Sequence, residues 1–194
     1  MPKIISNEEK EKYKSQLCDK GLKLIMQKGY KNVTVDELVQ LIGVSKGYFY
    51  HLFESKEVFV LEAIAWQMEE VFEAMKFAKE KGCSNEEIRF LHKSLFKRLR
   101  FANFEDILHV QRKISPDYWA KFRQFEIDYF TKALLLMGRD ATDCDPRVIS
   151  NLSALIYLSY TMHENGLYIF NEQVQEVNDL LLDTLYRYTE GGYD

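Results

Sequence analysis

Residues Thr34 to Glu57 read TVDELVQLIGVSKGYFYHLFESKE, and this stretch decides the fold. Thr34 followed by Glu37 makes a capping box, in which hydroxyl and carboxylate each satisfy a backbone N–H at a helix start. Val35, Leu38, Val39 and Ile42 then recur at i, i+3, i+4 and i+7, one apolar stripe on a helix of barely two turns. Gly43 supplies the backbone freedom that a helix stop requires. Ser45 caps a second helix, on which Phe49, Leu52 and Phe53 share one face while Lys46, Gly47, Tyr50 and His51 share the other. A short helix, a glycine-bearing turn and a second helix with one apolar and one basic-aromatic face make the helix-turn-helix plan, whose second helix lies in the major groove of DNA.

Upstream, Asn7 to Lys28 reads as a first amphipathic helix with Leu17, Gly21, Leu24 and Ile25 on its buried stripe, ended by Gly29. Downstream, Ser55 caps a long helix through Val58, Leu61, Ile64, Ala65, Met68, Phe72 and Met75 to about Lys81. At about 1.5 Å per residue it spans roughly 40 Å, enough to run from the head into the body. Ser84 with Glu87 is another capping box, followed by Ile88, Leu91, Leu95, Phe96 and Leu99. A shorter piece carries Phe104, Ile107, Leu108 and Val110. Ser115-Pro116 and Asp145-Pro146 are cap-plus-proline starts, the first opening a helix rich in rings that stops at Gly138, the second a helix leading to Asn165-Gly166. Asn171 opens a last helix, closed by Gly191-Gly192. Alternating strand patterns, internal repeats and low-complexity tracts are absent. The expectation is an all-α chain of about nine helices, with a head at residues 1–54 and a body at 55–194.

With 194 residues, of which Phe, Tyr and Trp make up 14%, the chain has ample material for a core. It holds no long apolar run and no leader-like start, so a cytoplasmic protein without membrane contact is expected. Cys18, Cys83 and Cys144 are odd in number and far apart, which argues against disulfides and a zinc site. The net charge of −4 conceals an asymmetry: residues 1–54 hold nine Lys against seven Asp or Glu, net +2, leaving −6 on the rest. A basic head on an acidic body suits a protein that meets phosphate at one end.

The run Gly43-Val44-Ser45-Lys46-Gly47, then Tyr50-His51-x-Phe53-x-Ser55-Lys56-Glu57, resembles the DNA-binding signature of the tetracycline-repressor (TetR) family of regulators. The likeness extends upstream to Gly29-Tyr30 and Thr34-Val35 and covers about the first quarter of the chain. It departs where Tyr48, Leu41 and Ile42 replace the family's small residues. The resemblance implies that Lys46, Gly47, Tyr48 and Tyr50 meet the operator and that Lys56 clamps a phosphate; Lys56 also stands in the first turn of a helix whose free N–H groups favour an anion. With Thr34, Ser45 and His51 these form the expected DNA-contacting set.

In the body, a mostly apolar pocket is expected from Trp66, Met68, Met75, Phe96, Tyr118, Trp119, Phe122, Phe125, Tyr129, Tyr160 and His163. The resemblance implies that such a region binds an effector, here a hydrophobic or aromatic small molecule. Homodimerisation is expected through the last two long helices, where Ser150, Ser153 and Ala154 allow close approach and Val174, Val177, Leu181 and Leu185 form an apolar seam. Scattered histidines, and the lack of any nucleophile motif, Walker loop or dinucleotide fingerprint, argue against an enzyme, a cofactor or a metal site. The sequence thus points to a homodimeric repressor released from a palindromic double-stranded operator by a small molecule. A rival reading keeps the DNA head and gives the body only dimerisation or protein contact.

Overall fold

The computed structural model describes residues 6–96, 104–163 and 170–191. Among them there are nine α-helices and no strand. α1 (Asn7–Lys28) starts at Ser6, which forms a capping box with Glu9, and ends at Gly29, where φ is 81°. A 3₁₀ turn at Tyr30–Asn32 leads to the Thr34 box, with the Thr34 N–H donating to Glu37 Oε2 at 2.8 Å and the Glu37 N–H to Thr34 Oγ1 at 3.2 Å. α2 (Val35–Gln40) and α3 (Lys46–Leu52) flank a turn in which Gly43 adopts φ 70°.

α4 (Lys56–Glu80) is one continuous helix capped by Ser55. α5 (Asn85–Phe96) begins at the expected Ser84–Glu87 box, and α6 (Phe104–Lys113) follows. α7 (Pro116–Leu136) is capped by Ser115 and α8 (Pro146–His163) opens on its proline. The last helix, α9 (Val174–Glu190), starts three residues later than Asn171, because Asn171–Gln173 wind as a 3₁₀ turn first. The Asn165-Gly166 stop and Gly192 lie outside the described residues.

The head core is built by α1, α2, α3 and the start of α4 around Leu17, Leu38, Phe49, Phe53 and Phe59. Gly21 is small for a reason internal to the chain: a Cβ there would stand 2.6 Å from Phe59 Cζ and 2.9 Å from Leu38 Cδ2. The ring therefore rests on the backbone of α1. Val110 of α6 and Ile114 just after that helix complete the same core. In the body, Tyr129, Phe130 and Leu134 of α7 pack with Ile149 and Ile156 of α8 and Leu182 and Leu185 of α9. Cys18 and Cys144 are buried free thiols, and burial pushes Cys18 up to about 12.

α8 and α9 run antiparallel: Cys144 Sγ donates to Tyr188 O at 3.2 Å, and Ser159 meets Asn178 near their other ends. This packing corrects the expected dimer seam. Ser150, Ser153, Val174 and Leu185 are buried within their own subunit, and Leu181 packs against the body core. The helices turn other apolar residues outward, Val148 and Leu155 on α8 and Leu180 beside the expected Val177 on α9, while Ala154 stays exposed.

Candidate functional site

The helix-turn-helix is held as a unit by groups that never leave the chain. Ser45 Oγ accepts the Tyr48 N–H at 3.1 Å, fixing the first turn of α3. Phe49 is fully buried against Phe53 and Phe59, with ring centroids 5.3 and 5.6 Å away, so α3 is anchored on its inner side alone. Its outer side carries Lys46, Gly47, Tyr50 and His51, all exposed. Lys46 Nζ reaches Asp36 on α2 at 2.9 Å, a surface pair that aims the ammonium along the helix pair. Thr34 serves as the α2 cap, with its hydroxyl at the helix start.

Two of the expected DNA contacts sit differently. Tyr48 leans back onto α1, its ring edge-on to Tyr13 at 5.6 Å and its hydroxyl shielded from solvent. It fills the room that a small residue would leave between α1 and α3. Lys56 folds onto the 3₁₀ turn: Nζ donates to Tyr30 O at 2.7 Å and lies 3.9 Å from the centre of the Tyr30 ring. Partial burial lowers its pKa. The adjacent Glu57 accepts from Tyr30 Oη at 2.6 Å and lies 3.8 Å from His109 Nε2 on α6. Lys56 and Glu57 thus tie the turn after α1 to the start of α4.

This geometry gives Lys56 a structural duty that can be tested. Lys56→Met should destabilise the free protein by about 1–2 kcal/mol, the worth of a charge-assisted hydrogen bond with a ring contact, read as a lower melting temperature. An unchanged melting temperature, with the salt slope of DNA binding reduced by about one, would return the ammonium to a phosphate.

The body contains a cavity of about 200 Å³ lined by residues of α1, α4, α5, α6, α7 and α8 and partly open to solvent. Its walls are Leu22, Leu61, Ile64, Met68, Val71, His92, Val110, Gln111, Trp119, Phe122, Glu126, Tyr129, Phe130, Ser150, Ser153, Ala154 and Tyr157. Four of the expected ligand residues, Met68, Trp119, Phe122 and Tyr129, are brought together here. Trp119 stacks on Phe122 at 5.8 Å, so α7 presents its rings as a ladder.

Others point elsewhere. Trp66 and Tyr118 pack on the head core, with Tyr118 Oη donating to Glu62 at 3.0 Å. Phe125 joins the body core. Met75 lines a smaller cavity of about 60 Å³, which shares His92, Tyr129 and Phe130 with the larger one. The side chains of Phe96, Tyr160 and His163 lie outside the described residues. Ser150 and Ser153, expected at a dimer seam, are buried and line the cavity instead, while Ala154 lines it and is also exposed. Sequence reasoning missed Glu126, Leu22 of α1, Val110 of α6 and, beside Met68, the α4 residues Leu61, Ile64 and Val71.

The polar groups of the cavity are few. Glu126 accepts from Arg123 Nη1 at 2.7 Å, and burial raises its pKa despite that partner. His92 is pushed down to about 4 by burial, so its ring is neutral, with Nδ1 3.2 Å from Tyr186 Oη. Among the described residues no group of three or more His, Cys, Asp and Glu is placed to hold a metal ion. No helix among them is long and apolar enough to cross a membrane.

The profile of the bacterial regulatory proteins of the tetR family matches residues 17–63, which are the helix-turn-helix with parts of the two helices flanking it. HTH-type transcriptional regulator YerO of Bacillus subtilis is 31% identical over a 204-residue alignment covering 95% of this chain and 66% of that protein. YuxN of the same organism, also an HTH-type transcriptional regulator, is 37% identical over 76 residues, 39% of this chain. The alignments span 25% of YuxN and 66% of YerO, less than two thirds of either relative's own length. In fold, the chain is similar to the transcriptional regulator FadR from Bacillus subtilis, crystallised with stearoyl-CoA, at a TM-score of 0.50 and 17% identity over 88% of this chain and 96% of that one. Residues 17–63 thus carry the helix-turn-helix DNA-binding domain of the tetR family of bacterial regulatory proteins.

Proposed function

We propose that this transcriptional regulator is a cytoplasmic homodimeric repressor, with a DNA head at residues 1–54 and a body at 55–194, released from a palindromic operator by a small apolar effector held in the larger cavity. One observation carries the reading: Leu22, Leu61 and Val110 belong at once to the head core and to the cavity wall. Whatever fills the cavity pushes on side chains that seat the recognition helix. α4 makes the connection rigid, since Phe59 supports Phe49 of α3 while Ile64, Met68 and Val71 face the cavity on the same helix. The neighbour FadR was crystallised with stearoyl-CoA, so an apolar effector is within the reach of this architecture.

Gly47 supports the assignment of the outer face of α3. A glycine inside a helix costs about 1 kcal/mol relative to alanine. A Cβ at Gly47 would meet nothing nearer than Ser45 Oγ at 3.9 Å, so the chain itself has no need of the glycine. Close approach by a DNA backbone supplies the reason. Lys46, Tyr50 and His51 then contact bases or phosphates around it. Ser45 and Thr34 hold the two helix starts at the same surface, and the rim provided by Tyr48 and Lys56 orients it.

Effector and operator should be antagonists with a reciprocal coupling. An effector preferring the DNA-incompetent dimer about a hundredfold supplies near 2.7 kcal/mol, and operator DNA must weaken the effector by the same factor. The test uses operators selected from random duplex DNA, with effector affinity measured on the free dimer and on the complex. Equal effector affinity in the two states would leave a body that only dimerises.

A further inference from the structure

The larger cavity is apolar except for a few groups, and two of these have an unusual position. Ser150 and Ser153 lie one turn apart on α8, are 2% and 8% exposed, and both line the cavity. Neither Oγ has a hydrogen-bond partner among the described residues. A helical serine can place its hydroxyl on a carbonyl of the preceding turn. Ser159 on the same helix does this, donating to Ile156 O at 2.9 Å. Ser150 and Ser153 do not. Buried hydroxyls without partners are costly, and folded proteins keep few of them.

The charge on the wall is already matched. Glu126 has its counter-ion in Arg123, and His92 is neutral. An ammonium ligand would have to compete with Arg123 for Glu126, and a carboxylate ligand would be repelled by it. Size narrows the class further. A cavity of about 150 Å³ takes benzene, so one of about 200 Å³ has room for one or two fused rings, whereas a long acyl chain would have to extend beyond it. Trp119 and Phe122 supply flat apolar surface for such rings.

We infer that the ligand of this cavity is a compact, neutral, largely aromatic molecule bearing a single hydroxyl or carbonyl, and that Ser150 and Ser153 are the side chains that select it. The inference rests on the reading of the cavity as the effector site. A ligand carbonyl would accept from both hydroxyls; a ligand hydroxyl would donate to one and accept from the other. The apolar remainder would then lie along the α7 rings.

The test is calorimetric titration of the full chain with 2-naphthol, naphthalene, palmitate and phenyltrimethylammonium, alongside the S150A/S153A double variant. The wild-type chain should bind 2-naphthol at least about tenfold more tightly than naphthalene, the discrimination expected of one good buried hydrogen bond. The double variant should lose that advantage and hold naphthalene as before, which also certifies its fold. Should 2-naphthol keep its advantage in the variant, or palmitate or phenyltrimethylammonium bind the wild type more tightly, the inference is overturned. If no probe binds, both the inference and the effector reading fall. Selective binding of 2-naphthol without any change in DNA affinity would sink the effector reading and leave the serine selectivity standing. Equal binding of both naphthyl probes with release of DNA would do the reverse.

Discussion

Phe59→Ala should cost the protein about 3–5 kcal/mol, lower its melting temperature by on the order of 10 °C, and abolish specific DNA binding. Phe59 is fully buried, and its ring meets Phe53 at 5.1 Å and Phe49 at 5.6 Å while covering the bare backbone of Gly21. Truncation leaves a hole bounded by a helix backbone and two rigid rings, none of which can collapse into it. The loss therefore includes the cavity as well as the transfer of the ring from water. Function fails with stability, because Phe49 is the inward anchor of α3 and rests on the lost ring. Phe77→Ala on the same helix is the control: that ring is 61% exposed, so the change should stay within about 0.5 kcal/mol. If the two variants melt together, the head core is not where the stability of α3 resides.

The helix-turn-helix was legible because its signals are local. A capping box is complete within four residues, and Thr34–Glu37 and Ser84–Glu87 form as their spacing implies. The same pattern at Ser6–Glu9 was equally visible and went unread. Lys56 was not legible in this way, since the carbonyl that takes its ammonium belongs to Tyr30, brought there only by the packing of α1 on α4.

The cavity shows the same boundary between local and distant information. Ile64 and Trp66 are two residues apart, so they face different sides of α4. Only the position of α1, α6 and α7 decides that Ile64 meets the cavity and Trp66 the head core. Small residues are ambiguous in sequence, because a serine admits either a neighbouring helix or an open space. On α8 the face that carries Ser150 and Ser153 turns toward the space. Val174, Leu181 and Leu185 misled for a related reason: α9 is apolar over more than one face, and periodicity alone does not say which of them the rest of the subunit covers.

That distinction sets the expectation for the dimer. Leu155→Glu combined with Leu180→Glu should give folded monomers with little affinity for operator DNA. Leu155 is 53% exposed and Leu180 61% exposed, so charges there are solvated in a monomer and cost its fold little. In a dimer built on the outward faces of α8 and α9, four carboxylates would be desolvated together against apolar partners, a penalty that no rearrangement within the seam relieves. A two-fold dimer holds its second head at millimolar effective concentration over the second half-site. Losing that linkage should reduce operator affinity by a factor on the order of 10² to 10⁴. The contrast is Leu185→Glu, which places a charge at a position only 3% exposed inside its own subunit and should unfold the body without any appeal to a partner. Light scattering with far-UV circular dichroism separates the cases: a helical monomer for the surface pair, lost helicity for the buried site. A surface-pair variant that stayed dimeric and kept its operator affinity would move the interface off α8 and α9, and with it the expected separation of the two half-sites.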